Sequence, residues 1–430
     1  MKCGKATGPD DIPADLWKVK NWPAAVDWLY QLFNRIVEDG QTPADWQQSI
    51  TLSVNQCGFV KQCGTIDAIH AARLLFERHR EKAKQLHTAF LDLEKAFDRV
   101  PHSLIWYSLR KRSVPEELVR WVQLLYQCPE SRVRSAAGLS QPFPITVGVH
   151  QGSALSPLLF VIVMDVITLD LQKPVPWMLL YADDVFLASD DREELQRQVQ
   201  AWKDRLAHFG LRLNVQKTEY LTLDQTATTT IAVDGISLPK ATAFKYLGST
   251  ITADGSIDAD AKNRVNCAWL KWRASTGVLC DKRMPERLKS KMCRTVVRPA
   301  ALYGSECWSV TAAIERRLAV METRMLRWTA GLTQLNRVQN EDVRRRFKVT
   351  PITAKLRERR LVWYGHTLQA DDATVAKIGL NFAVPGRRPK GRPKQRWLDT
   401  LHGDLRAAGL HPDQAQDRNK WRQKSIQADP

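Results

Sequence analysis

Asp183 and Asp184 stand side by side in a run that is otherwise apolar, Met178-Leu179-Leu180-Tyr181 before them and Val185-Phe186-Leu187-Ala188 after. Two adjacent carboxylates between apolar arms repel each other and lose hydration. A divalent cation relieves both costs, and hard carboxylate oxygens suit Mg²⁺. Asp92 ends a second apolar stretch, Ala89-Phe90-Leu91. If the two stretches are neighbouring strands, three carboxylates converge. Such a cluster can hold two metal ions, one activating an attacking 3′-hydroxyl and the other stabilising a pyrophosphate leaving group. Taken alone, an Asp-Asp pair is more often a polar turn, so the surroundings have to decide.

Those surroundings predict an α+β unit. Thr65 to Lys84 has helical spacing in Ile66, Ile69, Ala72, Leu75 and Phe76. Thr88–Leu93 is a short apolar strand, and Pro101–Tyr126 is helical with a break near Pro115. Extended pieces at Arg132–Ala137 and Phe143–Val149 precede a buried helix over Leu158–Val166, with Ser156 as its N-cap and Pro157 at its first position. The Asp-Asp hairpin comes next. Arg192–Phe209 is a helix with Leu195, Val199, Trp202 and Leu206 on one side, ended by Gly210. Strands at Leu211–Asn214 and Tyr220–Leu223 follow. The order matches a split β–α–β pattern, a sheet with helices on one face. Upstream, Asp15–Asp39 reads as a helix broken before Pro23, and from Asp258 onward the chain is mainly helical.

Composition bounds the reading further. The chain has 430 residues and a net charge of +18. Residues 264–430 carry 35 Lys and Arg against 15 Asp and Glu, a net of +20, while residues 1–263 carry 29 against 31. A near-neutral front joined to a basic back predicts a core plus a region that meets a polyanion. No apolar run is long enough to span a bilayer, and the first residues have no apolar h-region, so the expected location is nuclear or cytoplasmic, not secreted, with no membrane partner. The eight cysteines form no C-x-x-C pair, which argues against a zinc finger and for buried free thiols.

The motifs together carry a resemblance. Phe90-Leu91-Asp92-Leu93-Glu94-Lys95-Ala96-Phe97-Asp98 resembles motif A of reverse transcriptases, and Gly148-Val149-His150-Gln151-Gly152-Ser153-Ala154-Leu155-Ser156-Pro157 resembles motif B. Tyr181-Ala182-Asp183-Asp184 resembles motif C, Gly210-Leu211-Arg212-Leu213-Asn214 with Lys217 motif D, and Phe244-Lys245-Tyr246-Leu247-Gly248 motif E. Five motifs in order are far more specific than any one. The closest flavour is that of non-LTR retrotransposons, RTE-like. Lys5–Asp10, Ala301–Glu306, Trp363–His366 and Gly391–Trp397 resemble further pieces of the same elements.

The resemblance implies a right-hand polymerase: shortened fingers at 1–87, a palm at 88–255, a helical thumb at 256–380 and a basic nucleic-acid-binding region at 381–430. It implies an RNA-directed DNA polymerase acting on an RNA template, a DNA primer and dNTPs, with two Mg²⁺ ions, or Mn²⁺ in their place. Asp92, Asp183 and Asp184 would be the catalytic, metal-binding triad. Phe97 would exclude a ribose 2′-hydroxyl, Gln151 and Gly152 would line the nucleotide pocket, and Lys217 would protonate the departing pyrophosphate. Tyr246, Leu247 and Gly248 would form the primer grip. In Pro385–Lys394, the cations Arg387, Arg388, Lys390, Arg392 and Lys394 read as an extended, solvated phosphate-tracking segment, against the alternative of a basic linker with nonspecific attraction.

The chain also departs from the family. No endonuclease domain is expected in it. After Ser49–Leu52 it passes to Ser53–Phe59 without the strands that carry the family's cationic fingers motifs. Val60 and Cys63 stand where that family has Arg. Fixed cations beside a polyphosphate are worth several kcal/mol to the transition state. An alternative reading is therefore a catalytically dead retroelement remnant that binds nucleic acid without polymerising. A maturase-like splicing factor is less favoured, since nothing resembles a maturase C-terminal region.

Overall fold

A computed structural model describes residues 52–60, 63–127, 129–135, 138–150, 152–224, 229–391 and 394–426. The expected helix at Asp15–Asp39, the Lys5–Asp10 run, Gln151 and Arg392 lie outside them.

Four antiparallel-paired strands make the central sheet: β1 (His87–Leu91), β2 (Met178–Tyr181), β3 (Asp184–Ser189) and β4 (Glu219–Thr222), in the order β2-β3-β1-β4. Between β1 and β2 run α2 (His102–Lys111), α3 (Glu116–Leu125) and α4 (Leu155–Thr168). Between β3 and β4 runs α5 (Arg192–His208). Since β3 is antiparallel to both β1 and β2, those two are parallel with β3 inserted between them. By the same logic β3 and β4 are parallel with β1 between them. The sheet is thus two interlocked split β–α–β units. This topology brings the exit of β1 and the β2–β3 turn to the same end.

Side-chain alternation explains why the sheet is covered on both faces. Ala89, Leu91, Met178, Leu180, Val185, Leu187 and Tyr220 join one core with α4 and α5. Phe90, Leu179, Phe186, Ala188 and Leu221 point the other way and join a second core. There they meet α1 (Thr65–Glu81) and the hairpin of β5 (Ala243–Tyr246) and β6 (Ser249–Thr252). α4 is almost wholly apolar and buried. α5 is amphipathic, capped by Asp191, whose carboxylate accepts from the amides of Glu193 and Glu194. It buries Leu195, Val199, Trp202 and Leu206, as their spacing predicts.

Three expected elements differ. α4 starts at Leu155, with Ala154 as N-cap; Ser156 lies inside it and donates its hydroxyl to the carbonyl of His150 at 2.5 Å. The extended pieces before it shrink to two-residue ribbons, Glu130–Ser131 with Phe143–Pro144 and Arg134–Ser135 with Gly138–Leu139. Leu211–Asn214 makes a single bridge, Leu93 with Leu213, rather than a strand.

Beyond the hairpin, α6 (Asp258–Ala274) and α7 (Ala312–Thr329) share a third core that runs from Ile257 to Leu356. Buried Asp260 ties this part to the rest, accepting from Arg73, Ser249, the Thr250 amide and Trp308 at 2.7 to 2.9 Å. The chain then turns back. α8 (Ile352–Gln369), α9 (Trp397–Ala408) and α10 (Arg418–Ser425) form a fourth core with Leu74 of α1. The indole of Trp363 donates to Asp67 at 2.9 Å, and the Trp397 amide donates to Glu77 at 2.8 Å. Gly365, in the Trp363–His366 motif, leaves room for the Trp421 indole; a β-carbon there would meet its nitrogen at 2.2 Å.

Candidate active site

Asp92 is the first residue past β1, and Leu91 pairs with Val185, so one further step in register sets Asp92 opposite Asp184. Tyr181 pairs with Asp184 across a two-residue turn, Ala182-Asp183, in which Ala182 takes φ +55°. A left-handed alanine costs on the order of 1 kcal/mol, and this one aims the Asp183–Asp184 pair at the end of the sheet. Asp92 and Asp183 are half-buried, and Asp184 is the most exposed of the three. Desolvation, then the neighbouring Asp183 and Asp92, push the Asp184 carboxyl up to about 6. Asp183 is raised as well, by desolvation and by the charge of Asp92. Asp183 and Asp184 thus hold protons more tightly than separate carboxylates would, the mark of a site short of positive charge.

The donor chemistry fits a hard divalent cation: three carboxylates lie at one end of the sheet, and crowding there raises the proton affinity of Asp183 and Asp184. Among the described residues, however, no three His, Cys, Asp or Glu side chains already stand in an arrangement that would hold a metal ion.

Two neighbours that the sequence did not single out position the turn. Asn55–Cys57 runs parallel beside β2, with Cys57 donating to the Leu180 carbonyl at 2.7 Å and Leu180 to that of Asn55 at 2.8 Å. The side-chain carbonyl of Gln56 accepts from the amides of Gly58, at 3.0 Å, and Ala182, at 3.3 Å. Gly58 presses on the turn itself. Nothing local in the sequence signals this pairing, because the partner lies more than 120 residues away.

The motif D segment braces the other carboxylate. Asn214 donates its amide to the Asp92 carbonyl at 2.8 Å, and the Asp92 amide donates to the Thr218 hydroxyl at 3.3 Å. Lys217 is exposed on the same turn.

Motifs A and B are locked together through backbone. Val149 donates to the Phe97 carbonyl and Gly148 to that of Val100, both at 2.8 Å. Gly148 has φ +89°, and a β-carbon there would stand 2.8 Å from the Asp98 carbonyl oxygen, so only glycine fits. Phe97 is half-buried and stacks on Phe160, ring centroids 4.4 Å apart. Gly152 has φ +86° and open space where its side chain would be.

Motif E divides. Leu247 and Gly248, at φ +46° and +82°, form the tip of the β5–β6 hairpin, and the Tyr303 hydroxyl donates to the Leu247 carbonyl at 2.7 Å. Tyr246 is buried against Phe90 and Phe186, so its side chain serves the core beneath the sheet. The basic segment is exposed and irregular at Arg387, Arg388, Lys390 and Lys394, but it is not detached. It folds over the end of α1, where Glu81 meets Arg388 at 3.9 Å and Arg396 at 3.4 Å around a cavity of about 200 Å³.

A split β–α–β sheet with three carboxylates at one end defines a polymerase-type palm, and comparison with known proteins is specific about which. Residues 20–251 match the family described as reverse transcriptase (RNA-dependent DNA polymerase), and the chain belongs to that family. It is 30% identical over 200 residues to the retrovirus-related Pol polyprotein of the type-1 retrotransposable element R2 of Nasonia vitripennis, covering 45% of this chain and 18% of that one. It is 24% identical over 363 residues to the RNA-directed DNA polymerase of the mobile element jockey of Drosophila melanogaster, covering 79% of this chain and 38% of that one. These relatives bear out the resemblance to non-LTR elements, and the chain spans well under half of their length. Among solved structures, a Candida tropicalis telomerase aligns over 86% of this chain and 58% of its own at 11% identity, with a TM-score of 0.40, too loose a likeness to build on. Among the described residues no helix is long and apolar enough to cross a membrane.

Proposed function

We propose that this chain is the polymerase portion of a non-LTR retrotransposon reverse transcriptase, adding dNTPs to a DNA primer 3′-end along an RNA template. The observation that carries the reading is the proton-hungry carboxylate cluster at the end of a family-matched palm. Asp92, Asp183 and Asp184 would hold two Mg²⁺ ions. Bound there, the ions would supply Lewis-acid activation of the 3′-hydroxyl and charge neutralisation at the pyrophosphate. The chain's own part is positional. The Gln56–Gly58 brace and the Asn214–Thr218 turn fix the backbone that presents the carboxylates. The Phe97 ring, fixed on Phe160, would exclude a ribose 2′-hydroxyl, and Gly152 would leave room for the nascent base pair. Leu247 and Gly248 would meet the primer, and Lys217 would approach the pyrophosphate from the solvent side.

A second reading, a nucleic-acid-binding remnant without polymerase activity, draws on one observation. Where family members carry an arginine, Cys63 stands as a free thiol beside Cys57, whose own thiol is pushed up by a hydrogen bond with Cys63 and by burial. Primer extension on an RNA template, with Mg²⁺ and then Mn²⁺, separates the readings beside an Asp183→Asn control. Extension that disappears in the control supports the polymerase. Bound but unextended primer–template supports the remnant.

A further inference from the structure

α6 and α7 lie side by side and gather three indoles. Trp269 and Trp272 are 5.6 Å apart between ring centroids, Trp272 and Trp328 5.4 Å, and Trp269 and Trp328 6.1 Å. They form a gradient from core to solvent. Trp272 is buried and donates to the Thr329 hydroxyl at 3.4 Å, Trp269 is half-buried, and Trp328 is 63% exposed. An indole left in water on a rigid helix keeps a large apolar face for a ligand.

That face opens on a groove of about 960 Å³. Trp269 and Arg273 are four residues apart on α6, as are Arg324 and Trp328 on α7, so each helix sets a guanidinium one turn from an indole. Arg273 and Arg324 are exposed. Arg327 is engaged with the carbonyls of Thr333 and Val338 and holds the loop that floors the groove. Among the described residues lining it, every charged side chain is cationic.

We propose that this groove binds a single-stranded nucleic acid, with unpaired bases stacked on Trp328 and Trp269 and phosphates held by Arg273 and Arg324. Every base has a π-face and every nucleotide a phosphate, so paired indole and guanidinium match this ligand without needing a sequence. A protein partner would use the exposed indole equally well, but only an acidic one would match the cationic walls, whereas every nucleic acid strand does. The cationic groove, within the part of the chain that carries the +20 excess, favours the polyanion. The inference goes beyond the polymerase reading and does not need the carboxylate cluster to work.

The test is fluorescence anisotropy of the full chain with labelled rU15 and dT15 in EDTA, which leaves metal chemistry out. Trp328→Ala is expected to weaken both by roughly tenfold, and Trp328→Phe by less than about threefold. Arg324→Gln is expected to lower the slope of log affinity against log salt by about 0.7. An oligonucleotide carrying 5-bromouracil should crosslink to the peptide containing Trp328. Affinity of Trp328→Ala within about twofold of wild type, with no crosslink to that peptide, overturns the proposal. So does a Trp328→Ala chain that binds normally while losing a wild-type self-association in sedimentation, which would make the groove a protein interface. A wild-type chain that never extends primers yet shows these losses retires the polymerase reading alone.

Discussion

Gly58→Ala tests whether the turn that carries Asp183 is held as tightly as it looks. A β-carbon at Gly58 would stand 2.8 Å from the Ala182 nitrogen, 3.1 Å from the Tyr181 carbonyl carbon and 3.2 Å from its α-carbon. Ordinary contacts of such an atom begin near 3.4 Å, so the two segments must separate by about 0.6 Å. All three neighbours are backbone, so no side chain can swing away. Gly58 is not among the residues with positive φ, so the contact alone is being tested. Overpacking of this kind costs about 1–3 kcal/mol of stability. A reacting group displaced by about 1 Å loses on the order of a hundredfold in rate, so a shift of this size should cost about tenfold or more. In primer extension at saturating primer–template, kcat should fall by that factor, while gel-shift affinity for primer–template stays near wild type. Gly64→Ala is the control, since its nearest atom, in the Asp67 carboxylate, is 3.7 Å away. A stably folded Gly58→Ala chain with undiminished kcat would refute the claim that this contact positions the carboxylates.

Two further outcomes concern protons. The Asp184 carboxyl is pushed up to about 6, so its charged form is disfavoured in the folded chain, a penalty present above that pH and gone below the ordinary carboxylate range. In EDTA, Asp184→Asn should therefore melt above wild type at pH 7.5, with the gap closing as pH falls from 6 toward 4; a variant that melts lower, or a gap indifferent to pH, counts against the repulsive cluster. His70 is buried between Trp363 and Trp397, and burial, then Arg73 and Arg78, bring its imidazole down to about 3. The unfolded chain takes up that proton below about 6.5, so stability present above this pH is lost on the way down, about 2 kcal/mol of it by pH 5. His70→Phe should lose less stability than wild type between pH 7 and 5 in urea titrations, and an unchanged acid dependence would show that His70 does not carry the term.

The parts of the site legible in the sequence were those built from local pattern. Unbroken apolar runs around Asp92 and around Asp183–Asp184 mark two-sided burial, and the topology of the split unit then fixes their meeting. The α5 stripe from Leu195 to Leu206 was equally plain. What escaped depends on partners far away in the chain. Gln56 and Gly58 sit in a stretch too short to show a strand period, and their role exists only because β2 lies alongside. Gly148 read as one residue of a motif; its close approach to Asp98 shows only once the loops are packed. Ser156 had the chemistry of an N-cap, but its hydroxyl found the His150 carbonyl and the helix began two residues earlier than that role requires. Tyr246 has an aromatic ring that suits a core as well as a primer contact, and burial decided for the core.

The return of α8, α9 and α10 onto α1 has a consequence for how the chain is made. The Trp363–Asp67 and Trp397–Glu77 contacts close loops of 296 and 320 residues. On the ribosome, α1 and its face of the sheet are therefore finished long before their cover exists. Local helices can form as they emerge, but this closure waits for nearly the whole chain and carries the slow, long-range part of the folding problem. A ribosome halted before Trp397 would hold a complete set of motifs A to E on an open core, the stage at which a chaperone has most to grip.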